Sequence, residues 1–127
     1  MTKKLSKQLC KICDIPFERH IDNCRVVDND GDLCEQYAEI LDFGKPENFV
    51  KLFKLITTLK DSYFETGLFY MLLTPSYKQL SRLSVARNMY HSKNPDPIKA
   101  FIECVIACTK ADKDTADFIK EQEWSYE

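Results

Sequence analysis

The chain has 127 residues, 44% of them apolar and 30% charged, with a formal net charge of −2. That composition suits one globular domain that buries roughly two-thirds of its unfolded surface. It excludes a low-complexity chain and one drawn to nucleic acid by bulk charge. No stretch reaches the ~20 apolar residues that span a bilayer. The opening Met-Thr-Lys-Lys-Leu-Ser-Lys-Gln has no apolar core of signal-peptide length. The expectation is therefore a soluble, intracellular protein whose six cysteines are reduced.

Charge is unevenly spread. No acid occurs between Glu65 and Asp96, where Lys78, Arg82, Arg87, His91 and Lys93 lie. Residues 28–47 carry seven acids against Lys45, and residues 111–127 carry six acids against two bases. A basic middle between acidic flanks is either a set of mutually attracting surfaces or a face for an acidic partner or phosphate backbone.

In chain order, residues 1–31 read as an irregular segment of loops with a short hairpin. Ile15, Pro16, Phe17, Val26 and Val27 are its apolar patches, too few for a core of its own. Cys10-Lys11-Ile12-Cys13 is a C-x2-C pair, and His20 with Cys24 follows at H-x3-C spacing. Two thiolates on a tight turn, then an imidazole and a thiolate on one side of a helical turn, form a Cys3His set suited to structural zinc. Cys34 is an alternate ligand. The six-residue gap between Cys13 and His20 is short for a zinc finger and long for a knuckle. If no metal binds, these cysteines are small buried apolar groups.

Residues 28–32, Asp-Asn-Asp-Gly-Asp, fail as a calcium loop, because the first and closing ligand positions would fall on Val26 and Tyr37. The stretch reads as a turn into a helix capped by Asp32 and Glu35 and stopped at Gly44. Pro46 opens a second helix over about 46–60, with Phe49, Leu52, Phe53, Ile56 and Leu59 as its apolar stripe. Ser62 and Glu65 cap a third, apolar nearly all round to Leu73. Thr74-Pro75 starts a fourth that runs to Lys93. Asp96-Pro97 caps a fifth carrying Cys104 and Cys108, which share a face with Phe101 and Val105 and read as core. Asp112 or Asp114 caps a sixth that ends near Glu123. Trp124 packs back on the bundle and Ser125 onward frays.

The fold expected is mostly α, a compact bundle of five to six helices over 32–124 in a single domain, 1–127, with the Cys/His-rich segment attached. Residues 79–90 weakly resemble the helix-turn-helix family, although the serine spacing is one residue short and the turn lacks glycine. That resemblance implies a DNA- or RNA-binding regulator in which Arg82, Arg87 and Asn88 reach phosphate or base edges. With Lys78, His91 and Lys93 they form a basic face for a protein or nucleic-acid partner. No phosphate loop, dinucleotide fingerprint or nucleophile elbow occurs. The leading expectation is a non-enzymatic binding or regulatory protein with structural zinc that docks on a macromolecular partner, a protein before a nucleic acid.

Overall fold

A computed structural model describes residues 2–21, 37–59, 61–71 and 76–127. Among the described residues the chain forms four helices and five strands. They are α1 (Lys3–Cys13), β1 (Glu18–Ile21), β2 (Tyr37–Ile40), α2 (Pro46–Thr57), β3 (Tyr63–Met71), β4 (Ser76–Val85), β5 (Asn88–Ser92), α3 (Pro97–Ala111) and α4 (Lys113–Lys120). The strands make two antiparallel sheets, β1-β2 and β3-β4-β5. The fold mixes helix and sheet and is not a bundle of five or six helices.

Three helices lie where local signals put them. Pro46 occupies the first turn of α2. The Asp96 carboxylate accepts the Ile98 N–H at 2.9 Å ahead of Pro97 and α3. Asp112 accepts the Asp114 N–H at 3.0 Å and so caps α4.

The other expected helices are replaced. Residues 37–40 pair with β1, Glu18 opposite Ile40 and Ile21 opposite Tyr37. Of the helix expected over 62–73, residues 63–71 are β3, and of the one expected from Thr74-Pro75 to Lys93, residues 76–92 are β4 and β5 folded back on each other, while residues 72–75 lie outside the described residues. Tyr, Phe and Thr are themselves strand formers, so a shortage of Val and Ile did not favour helix here. Alternation is visible once the partner is known. Phe64 and Leu83 are paired on the inner face, where Phe64 meets Phe53 and Phe101 edge-on at 6.3 and 5.0 Å between ring centroids. Tyr63 and Glu65 occupy the opposite face.

The N-terminal segment is also corrected. Residues 3–13 form an amphipathic helix, and α1 packs against α3 and α4. Leu9, Cys10 and Cys13 join Leu41, Phe43, Leu52, Ile56, Phe101, Ile102 and Val105 in one hydrophobic cluster. The segment thus borrows the common core in place of needing its own. Gly44 does not end a helix. It lies where the chain passes Thr2, and a Cβ there would collide with the Thr2 side chain.

The tail is ordered through Glu127. Trp124 packs edge-on against Phe43 at 4.9 Å, and its indole N–H donates to the Ile119 carbonyl at 3.0 Å. Glu127 and Ile40 exchange backbone hydrogen bonds at 2.9 and 3.0 Å, so the chain end lies beside β2 in place of fraying.

Candidate functional site

The β3-β4-β5 sheet has one covered face. On it stand Phe64, Leu83 and Tyr90, and α3 packs there against β4 and β5. Its polar members are satisfied. Ser81 Oγ donates to Thr66 Oγ1 at 2.9 Å, and the Glu103 carboxylate of α3 accepts from Ser92 Oγ and Asn94 Nδ2.

The opposite face is built from two cross-strand rows. In the first, Tyr63, Ser84 and Met89 lie opposite one another. Tyr63 is 48% and Met89 44% exposed, while Ser84 between them is buried. In the second, Glu65, Arg82 and His91 are in register, and Glu65 and Arg82 form an ion pair. Alternation puts these six side chains on one side of the sheet, at the 4.5–5.5 Å spacing of directly paired residues.

The residues singled out for nucleic-acid or partner binding therefore lie on a β-hairpin, not on a helix. Lys78 holds the β4 register position opposite Phe69. Arg82 and His91 face each other across β4 and β5. Asn88 pairs with Val85 where the hairpin closes, Arg87 is exposed in its turn, and Lys93 is exposed just beyond β5. The helix-turn-helix expectation fails because residues 79–90 are two paired strands. Tyr63 and Met89, which lie in the runs expected to form the third and fourth helices, are the apolar part of this surface. The signal that would have found them is the outward parity they share with charged residues.

The turn has its own physics. It contains only Ala86 and Arg87, both left-handed at φ 50° and 70°. A two-residue loop with both φ positive is the type I′ hairpin, which matches strand twist and favours Asn-Gly. Left-handed backbone costs a residue with a Cβ roughly 1–2 kcal/mol. That cost puts an arginine side chain at the hairpin tip.

The N-terminal cysteines occupy different ground. Cys10 and Cys13 lie on the buried side of α1, at its C-terminal end. Burial is the main reason their thiols are pushed up to about 12 and about 11. The neighbouring Cys13 adds to the first shift and Asp117 to the second. The negative end of the helix dipole is the wrong place to stabilise a thiolate, so the pair is not a redox centre of low pKa. His20 lies in β1 by its backbone, with its side chain outside the described residues, as are Cys24 and Cys34 altogether. Cys104 and Cys108 are fully buried on α3, as expected of core, with burial again the main cause of their raised pKa. Although α1 packs on α3, no group of three or more metal-binding side chains converges among the described residues.

One open cleft of about 430 Å³ lies under the tail, lined in part by Ile15, Arg19, Lys120, Trp124 and Tyr126. Both of its cations have local partners. Arg19 stacks on the Tyr126 ring at 3.8 Å, and Lys120 pairs with Asp14 at 3.0 Å. No protein-family model, curated protein or solved structure matches this chain.

Proposed function

We propose that this chain is a non-enzymatic binding protein that docks on an acidic protein partner through the outer face of β3-β4-β5. The observation that carries this is the pairing of exposed Tyr63 and Met89 with the Glu65–Arg82–His91 row, rimmed by Arg87 and Lys93. Aromatic residues, Met and Arg are the types enriched at interfaces, where an apolar centre supplies affinity and a charged rim supplies orientation. Glu65 is the one acid in the three strands, and Arg82 pairs with it. The surface thus favours a negatively charged partner. A binding role also fits the cysteines, since the four described thiols are buried and poor nucleophiles near neutral pH. Among the described residues no helix is long and apolar enough to cross a membrane. We place the protein in a reducing, intracellular compartment, because those four cysteines are unpaired.

Two variants test the docking face, Tyr63→Ala with Met89→Ala, and Arg87→Glu with Lys93→Glu. Each is checked for native circular dichroism, then compared with the parent by cross-linking in cells and by titration with single- and double-stranded oligonucleotides. The expected result is a protein cross-linked to the parent and lost from both variants, with no oligonucleotide binding at low salt. Binding that falls steeply with salt and depends on Arg87 and Lys93 alone would replace this reading with nucleic-acid binding by a β-ribbon.

A structural zinc ion is the second part of the proposal. Its support is that Cys10 and Cys13 stand three residues apart on the buried side of α1, at neighbouring positions of the helix surface. Two further ligands would come from His20, Cys24 and Cys34.

A further inference from the structure

We propose that the outer edge of β5 accepts an extended acidic peptide segment as an added fourth strand. The inference rests on the docking reading above and specifies how the partner is held.

The order β3-β4-β5 puts β5 at one edge of its sheet, and among the described residues no other element pairs with it. The hairpin phase determines which backbone groups that edge presents. In a two-residue hairpin the closing pair, here Val85 and Asn88, is hydrogen-bonded. Antiparallel pairs then alternate, so Leu83–Tyr90 and Ser81–Ser92 are hydrogen-bonded while Ser84–Met89 and Arg82–His91 are not. The N–H and C=O groups of Met89 and His91 therefore point away from β4. They form two donor–acceptor sets about 6.8 Å apart, the repeat an added strand requires. No loop or cap hydrogen bond takes up either residue among the described ones.

The side chains decide what the guest strand carries. Arg87 stands at one end of this edge, Lys93 at the other, and His91 between them, all exposed. Glu103, the acid nearest on α3, is already engaged by Ser92 and Asn94. A second copy of this chain is a poor guest. Antiparallel pairing of β5 with itself about Tyr90 would set Arg87 of one copy beside Lys93 of the other, and directly opposed like charges destabilise a sheet. Charges on an edge strand block self-association in this way. An acidic guest turns the same charges into attraction.

The test uses the full chain and a capped seven-residue peptide in which Glu alternates with Val and Thr. A second peptide of the same sequence, N-methylated at alternate residues, keeps the charge but cannot complete a ladder. Amide hydrogen exchange is followed by NMR. The expected result is fast exchange at Met89 and His91 in the free protein, slowed at least about tenfold by the first peptide and unchanged by the second. Arg87→Glu with Lys93→Glu should weaken the first peptide roughly tenfold or more. Equal binding of both peptides, no binding of either, or protection confined to β3 would overturn the proposal. Cellular cross-linking that needs Tyr63 while the Met89 and His91 amides stay unprotected would also overturn strand addition, yet leave the docking face standing.

Discussion

Asn48 and Ser125 hold each other by a reciprocal pair of hydrogen bonds. Asn48 Nδ2 donates to the Ser125 carbonyl at 2.8 Å, and Oδ1 accepts the Ser125 N–H at 2.9 Å. The same Nδ2 donates to the Asp42 carbonyl at 3.1 Å, and Asn48 is only 2% exposed. The side chain thus behaves like a length of neighbouring strand, pinning the tail to the loop before α2. Asn48→Ala should cost about 2–4 kcal/mol, because it leaves the Ser125 N–H and C=O unpaired and takes one of two donors from the Asp42 carbonyl, which keeps the Lys45 N–H. Urea denaturation checks the loss. Faster exchange at Ile40 and Glu127, with α3 amides unchanged, would locate it at the tail.

The hairpin turn predicts the opposite sign. Arg87→Gly relieves left-handed strain and should raise stability by about 0.5–1 kcal/mol, even after the greater freedom of glycine in the unfolded chain is counted. Ala86→Asn should also stabilise, since Asn tolerates this backbone and Ala does not. If Arg87 works at the docking face, Arg87→Gly gains stability and loses partner, separating the two quantities in one variant. A thermal melt beside a binding titration measures both.

Cys104 sets an alkaline limit. Burial pushes its thiol up from the ordinary 9.0 to about 12. Between those values the unfolded chain releases a proton that the folded chain keeps, so stability falls as pH rises, and below about pH 9 the thiol contributes no pH dependence. Cys104→Ala removes this component. Its deficit relative to the parent should narrow as pH rises from about 8 to about 10.5 in paired urea titrations. A constant gap would mean that the folded thiol ionises normally.

Zinc is decided by elemental analysis of protein purified without added metal. The expected content is about one zinc per chain, lost together with thermal stability in Cys13→Ser. Metal-free protein that melts unchanged in chelator would return Cys10 and Cys13 to plain core packing.

Pro46, the Asp96-Pro97 pair and Asp112 were legible in the amino-acid order alone, because caps and first-turn prolines act within a few residues of themselves. So were the buried role of Cys104 and Cys108 and the exclusive basicity of residues 66–95. The strands were not. Tyr63 to Met71 is apolar enough for a buried helix or a strand, and an apolar run does not choose by periodicity. Its fate is set by Ser76 to Val85, which must come alongside before any ladder bond forms, and the turn at Ala86 and Arg87 that folds β5 back onto that strand lacks the usual residues. The candidate surface divides the same way. Its basic residues stand in the sequence, but that Arg82 faces His91, and that Tyr63 and Met89 share their side, follows only from register, a relation between segments that no local stretch encodes.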